Sequence, residues 1–259
     1  MEADRGQLLA ICERVQTDWF QLRAERLGGT VWDDGPLHWT DGPDGQNLMF
    51  PRSIPLDAVE RGVERARANG HELVGCWVEN DTDASPLAEL GFERGWSPWW
   101  MTASLERISQ SIDPRVHLGA LPGDVSDEQG GYGRLLELAQ IEPDRTFYAA
   151  ARVDGVLAGH AWSFMSGENA GIFDLDVWPP FRRTGLGAGL LHAVVAAARE
   201  AGAKTAIIGT SPQGALIYRA QGFTRIGQGS TWWLELAADS DSAAGAAPEL
   251  SAAAGSPAV

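Results

Sequence analysis

The sequence has only two cysteines in 259 residues, Cys12 and Cys76, far apart and in neither a CxxC nor a Cys/His spacing. Neither a disulfide framework nor a zinc site is expected from them, and a reducing compartment suits them. Basic residues are also scarce: 20 Lys and Arg face 35 Asp and Glu, for a formal charge of −15. A nucleic-acid partner needs a basic surface to displace counterions, so none is expected. No apolar run approaches the roughly 20 residues of a membrane helix. The start MEADRGQLLAICERV lacks the basic and then apolar layout of a secretory leader. These absences point to a soluble, cytoplasmic protein without membrane or nucleic-acid partners. The acidic balance either steers cationic small molecules or basic peptides inward or simply serves solubility.

What is present begins with 11 tryptophans, scattered singly or in pairs, as at Trp32, Trp77, Trp99-Trp100 and Trp232-Trp233. Flanked by polar residues, they read as packing residues rather than as one aromatic binding box. The length allows one large domain or two modest ones. Residues 237–259 are almost all Ala, Ser, Gly, Pro and Asp. They bury too little apolar surface to offset chain entropy, which predicts a flexible tail.

A faint internal repeat precedes that tail. PLAELGFERGWSPWWMTASL (86–105) and IYRAQGFTRIGQGSTWWLEL (217–236) share a helical piece, Gly-Phe, a strand with an arginine, a turn and a Trp-Trp pair opening another strand. Upstream of each, LDAVERGVERARANGHELVGCWV and LGAGLLHAVVAAAREAGAKTAIIGT read as an amphipathic helix, a glycine C-cap and a buried strand. The chain thus resembles two copies of one fold. Residues 1–110 form the first copy, 111–125 a linker marked by Pro114 and Pro122, and 126–236 the second copy.

The second copy is the more legible. SDEQGGYGRLLELAQIE suggests helices, and TFYAAARVDGVLAGHAWSFM a hairpin turning at Asp154-Gly155. AGIFDLDVW reads as a strand, LGAGLLHAVVAAAREAG as a helix, KTAIIGT as a strand and QGALIYRAQGF as a helix, with two closing strands after it. Hairpin, strand, helix, strand and helix make an α/β (α+β) fold: in each copy a mixed, mostly antiparallel sheet flanked by helices.

The chemistry concentrates in DLDVWPPFRRTGLGAGLL (174–191). Glycines at 185, 187 and 189 let the backbone turn tightly and approach a ligand closely. The helix that follows leaves its first N–H groups unsatisfied, and with its dipole and Arg182 and Arg183 they favour a polyanion such as a pyrophosphate. The run lacks the GK[ST] ending of a P-loop and the spacing of a GxGxxG fingerprint. A tight strand-to-helix turn alone also explains an isolated Gly-x-Gly-x-Gly.

Val177-x-Pro179-x-x-Arg182-Arg183-x-Gly185-Leu186-Gly187 resembles the acyl-CoA-binding motif of the GCN5-related N-acetyltransferase (GNAT) family, Arg/Gln-x-x-Gly-x-Gly/Ala after a Leu-x-Val strand. SPQGALIYRAQGF is similar to the family's second signature, ending in Tyr-x-x-x-Gly-Phe. The resemblance covers 141–236. It implies acetyl-CoA as co-substrate, with the backbone of Leu175, Asp176 and Val177 pairing with the pantetheine arm. It further implies that the amides of Arg183, Thr184, Gly185, Leu186, Gly187 and Ala188 hold the pyrophosphate, with Arg182 and Arg183 supplementing.

Tyr218 stands where many members place a hydroxyl near the CoA sulfur, as general acid; packing against the cofactor is the other role open to it. Ser211 stands where the second signature usually has Asn, which puts one cofactor contact in doubt. An amine attacks a thioester only when neutral, so a base is needed. Asp174 and Asp176 alternate with Leu175 and Val177 and are expected on one strand face, where family members use acids through a water. Asp174, deeper from the phosphate loop, is preferred as base; a structural or substrate-binding role for either acid stays open. His160 on the preceding strand is a further candidate base or a packed histidine.

Where the second copy has its glycines, the first has NLMFPRSIPLDAVERG, in which Pro51 and Pro55 remove amide donors. Leu87 takes the position of Tyr218. Residues 1–110 are therefore expected to be a degenerate acetyltransferase-like domain that packs on the active half and walls the acceptor pocket. GTVWDDGPLHWTDGPDGQ either lines that pocket or is a solvated loop.

The resulting expectation is an acetyl-CoA-dependent N-acetyltransferase acting directly on a primary amine of a small molecule, as monomer or homodimer, with no metal. A protein or peptide acceptor, or an acyl-CoA-binding sensor or scaffold without turnover, are the alternatives.

Overall fold

The computed structural model describes residues 2–43, 45–119 and 133–236. In chain order the elements begin with α1 (Glu2–Arg26), β1 (Thr30–Asp34), β2 (Leu37–Gly42), β3 (Gly45–Met49), α2 (Leu56–Ala68), β4 (Leu73–Glu79) and α3 (Ser85–Glu89). They continue with β5 (Glu93–Arg94), β6 (Trp99–Ser104), β7 (Val116–Leu118), α4 (Gly133–Ile141), β8 (Thr146–Val153) and β9 (Val156–Ser166). β10 (Asn169–Val177), α5 (Leu186–Glu200), β11 (Thr205–Thr210), α6 (Ala215–Ala220) and β12 (Thr224–Glu235) complete the order.

Contacts divide the chain into two compact units. Among the described residues, one holds 2–19 and those within 99–227, the other those within 20–98 and 228–236. Each unit therefore draws on two stretches of chain, whereas the sequence suggests a single cut within 111–125. Val116–Leu118, read from sequence as linker, form β7 and pair antiparallel with β8. The remainder of that stretch from residue 120, the start of the helical stretch at 126–132 and the tail at 237–259 lie outside the described residues.

In the first unit the strand order is β6-β11-β10-β9-β8-β7, antiparallel except for the parallel pair β10 and β11. The β8–β9 hairpin turns at Asp154-Gly155 with φ of 51° and 81°, the double left-handed geometry that matches strand twist. Helix α5 covers one face. Its Leu186, Leu190, Leu191, Val194 and Val195 pack on small strand residues such as Ala149, Ala158, Ala161 and Ala170, which let the helix axis come close. The other face meets α1 through Trp19, which stacks on Phe173 at 4.9 Å and tilts against Phe164 and Trp162.

In the second unit the order is β1-β2-β3-β4-β12, with β5 on the other edge of β12. It too is antiparallel except for one pair, β3 with β4. Helix α2 buries Val59, Val63 and Ala66 against Trp39, Leu48 and Val74. Helices α2 and α5 end alike. Gly70 (φ 76°) and Gly202 (φ 100°) follow α2 and α5, and the next amides, His71 and Ala203, return to the carbonyls of Ala66 and Ala198.

One sequence expectation is corrected. The two closing strands are a single 12-residue strand, β12. Gly227 and Gly229 lie within it, because glycine tolerates extended backbone and neither takes a positive φ. No described helix is long and apolar enough to cross a membrane.

Candidate active site

Strand β10 pairs with β11 only from Asn169 to Gly171, against Thr205 to Ile207. Beyond that point β11 stays with β6 through Thr210, while β10 follows β9. A β-bulge lies at the parting. Phe173 opposes Trp162 and Asp176 opposes His160, so Asp174 and Leu175 together face one residue, Ala161. Asp174 takes a left-handed φ of 46° there, and such an inserted residue bends and twists a strand. The last part of β10 thus has no ladder partner on its β11 side among the described strands.

The bulge also alters the expected placing of the two acids. Alternation requires an unbroken strand, and the extra residue breaks the count. Leu175 and Val177 lie in the core under α5, and Asp176 shares the register position of His160 on the opposite face. Asp174 is no longer its simple i−2 neighbour. His160, 3% exposed, is packed edge-on between Tyr148 at 5.9 Å and Trp178 at 5.1 Å.

A cavity of about 540 Å³ opens where the strands part. Leu175 and Val177 line it from β10, and Phe181, Arg182, Arg183 and Gly185 from the loop. Leu186, Gly187 and Ala188 line it from the start of α5, and Gly214, Ile217 and Tyr218 from α6 and the turn before it. Its lining is largely apolar side chain and backbone.

The loop has the backbone an anion needs. Arg183 (φ 63°) and Gly185 (φ 88°) are both left-handed, and Gly185 is the N-cap of α5 without any side chain bonded to the helix's first amides. Those amides carry the positive end of the helix dipole. A Cβ on Gly187 would stand 3.8 Å from Leu175 and 3.9 Å from Val177, ordinary van der Waals contact, so the loop backbone passes one side-chain layer from the strand. Arg182 Nε donates to the Val177 carbonyl at 2.7 Å, and its Nη2 lies 3.6 Å from Asp176. Arg182 thereby ties the loop to the strand, and Arg183 is the exposed cation of the pair. Thr184 is turned outward: its hydroxyl donates to the Phe181 carbonyl at 2.6 Å, and its own carbonyl accepts from Arg115 at 3.0 Å.

Tyr218 is 1% exposed, at the inner end of the cavity, with its ring edge-on to Phe223 at 5.5 Å. Burial, and secondarily the charge of Asp176, push the phenol pKa up, so it keeps its proton at neutral pH. Burial likewise raises the Asp176 carboxyl above the ordinary carboxylate value, against the opposing pull of Arg182. Ser211 is buried outside the cavity lining, and its hydroxyl accepts the Gly214 amide at 3.0 Å, shaping the turn into α6.

Sequence reasoning did not single out Phe181, Gly214 or Ile217, although each adjoins a motif residue. It also missed Arg115 and Asp113, which lie some 70 positions before the loop and had only the sequence signature of a linker.

Residues 115–223 match the model of the acetyltransferase (GNAT) family. No curated protein matches the chain. Among solved structures, a GCN5-related N-acetyltransferase from Kribbella flavida is 18% identical, with a TM-score of 0.60 over 86% of this chain and 95% of that one. One from Sphaerobacter thermophilus is 16% identical, with a TM-score of 0.52 over 77% and 76%. A tandem GNAT protein from the clavulanic acid biosynthesis pathway is 16% identical, with a TM-score of 0.53 over 78% and 79%. At such identities these structures speak for the fold. Residues 115–223 are thus a domain of the GNAT acetyltransferase family.

Proposed function

We propose, taking that GNAT domain as the premise, that the protein transfers the acetyl group of acetyl-CoA directly to a primary amine of a small molecule. One observation carries the reading. A single cavity joins the open edge of β10, the uncapped amides at the start of α5 and the Tyr218 side chain. An extended pantetheine arm, a pyrophosphate and a leaving thiolate are the three parts of a CoA thioester, and each has a fitting group here.

The backbone of Leu175 to Val177 would bind the arm as an added strand, and the amides of 183–188 would hold the pyrophosphate. Bound acetyl-CoA supplies the activated acyl group. In the transfer, the amine nitrogen bonds to the acetyl carbon and the carbon–sulfur bond breaks. Tyr218 gives its proton to the departing sulfur. Asp176, directly or through water, takes the proton the amine loses. Its raised pKa makes it a better base than an ordinary aspartate, and its charge is felt at Tyr218; both favour it for the role.

Residues 1–110 form, in this reading, a degenerate copy of the domain at 126–236. The order β3, α2, β4, α3 parallels β10, α5, β11, α6, each with one parallel strand pair. In the first copy, however, β3 stays paired with β4 from Gln46 to Met49 without a bulge. Pro55 precedes its helix, and Leu87 is fully buried in the core. The likeness to a protein described as tandem GNAT supports the same reading.

The test is a thiol-release assay with acetyl-CoA against panels of small amines and of peptides. Turnover on small amines is the expected result. Turnover on peptides alone would move the acceptor class, and tight CoA binding with no turnover on either panel would leave a sensor instead of an enzyme.

A further inference from the structure

Arg115 connects the segment before β7 to the glycine loop. Its backbone N–H and Nε both donate to Asp113 Oδ1 at 2.9 Å, and Nη2 donates to Asp113 Oδ2 at 2.6 Å. The same Nη2 reaches the Thr184 carbonyl at 3.0 Å. The fork is therefore fixed on one side by a carboxylate and presents its edge to a single peptide of the loop. That segment lies directly on the first turn of α5. A Cβ at Gly189 would come within 2.8 Å of the Asp113 Cβ and 3.3 Å of Val116, so only glycine admits the approach.

The captured carbonyl belongs to the peptide joining Thr184 to Gly185. No peptide among the described residues is cis. In a planar trans peptide the C=O and N–H point to opposite sides. Holding the Thr184 oxygen outward therefore turns the Gly185 N–H the other way, and Gly185 lines the cavity. Left-handed residues, Arg183 and Gly185, stand on either side of Thr184, whose carbonyl opens this peptide. Arg183 adopts that conformation against the preference of a residue with a Cβ, so an external hold on the peptide between them has a conformation to maintain.

We propose that Arg115, oriented by Asp113, is the positioning residue of the phosphate cradle: it holds the Thr184 carbonyl outward and thereby aims the Gly185 amide at a bound pyrophosphate. The proposal rests on the CoA reading of the cavity. Arg115 acts through a peptide, not as a counter-charge, because Asp113 already balances its guanidinium. A charge partner and a positioner make opposite predictions for Asp113. Neutralising a carboxylate beside a direct phosphate ligand tightens polyanion binding, whereas neutralising the carboxylate that aims a positioner weakens it.

The experiment measures binding of CoA, and of pantetheine, which lacks the pyrophosphate, to the full chain and to its R115A, R115K and D113N variants. Wild type should bind CoA. R115A should weaken CoA roughly tenfold or more, the order expected for a lost hydrogen bond that orients a charged ligand's donor, and leave pantetheine unchanged. R115K should recover part of the loss, and D113N should weaken CoA as well. In turnover the losses should fall on the KM for acetyl-CoA, not on kcat.

D113N that binds CoA as well as or better than wild type overturns the positioning role. So does R115A that weakens CoA and pantetheine alike, or that changes neither. Thermal unfolding accompanies each variant; should R115A fail to fold, R115K and D113N carry the comparison. A wild-type chain that does not bind CoA removes the cofactor reading itself, which the variants' relative behaviour cannot do.

Discussion

Asp176 and Arg182 approach to 3.6 Å across the junction of β10 and the glycine loop, yet the carboxyl is held above its ordinary pKa. Burial outweighs the Arg182 charge and the Val177 backbone hydrogen bond, both of which pull the other way. A half-buried acid of this kind is ready to accept a proton.

Asp176→Asn should therefore lower kcat/KM for the amine by about 10²-fold or more, the scale of general-base catalysis. In the wild type, kcat/KM should rise with pH through the raised pKa of Asp176, and this limb should vanish in the variant. The stability effect has the opposite sign. A carboxyl with a raised folded pKa binds its proton more tightly folded than unfolded, so wild-type stability falls as pH rises from 3.8 through the raised value. The variant should melt higher than wild type at neutral pH, and the gap should close on acidification. Melting curves at several pH values check it.

Tyr218→Phe should lower kcat by roughly 10²-fold while the KM for acetyl-CoA changes little. The ring remains to pack on Phe223, so the melting temperature should hold. An unchanged kcat would assign Tyr218 to packing alone. The phenol's raised pKa also predicts no loss of rate from its ionisation at or below its ordinary value of 10.0.

Gly185→Ala places a Cβ on a residue at φ 88°. Left-handed backbone costs an L-residue about 1–2 kcal/mol, and this one is the N-cap of α5. Urea unfolding should show that loss, and CoA titration should show weaker binding, because relaxing the strain moves the amides of the cradle.

Trp19→Ala removes a ring that is 1% exposed and stacked on Phe173, the residue just before the bulge. Emptying such a site costs about 3–5 kcal/mol, to be read from chemical denaturation. Trp19→Phe should recover part of the loss, since a smaller aromatic can still stack.

Much of the fold was legible because it rests on local rules. The Asp154-Gly155 hairpin, the glycine C-caps of α2 and α5, and the strand–helix alternation of 169–220 each follow from turn chemistry or periodicity within a short window. The bulge at Asp174 and Leu175 was not legible. DLDV alternates without fault, and only pairing with β9 on one side and parting from β11 on the other reveals the extra residue. The shared face expected of Asp174 and Asp176 rested on an unbroken count, which the bulge interrupts.

The sequence by itself determined the glycine-rich loop of the proposed cradle: three glycines at alternate positions, two arginines and a helix start are set locally. Tertiary structure decided how that cradle is held and what stands beside it. Arg115 reaches Thr184 from 69 positions away, and Asp176 charges the surroundings of Tyr218 from another element. Both depend on which strands separate and which segments pack together. Such choices belong to the summed burial of many residues, and no single stretch of chain encodes them.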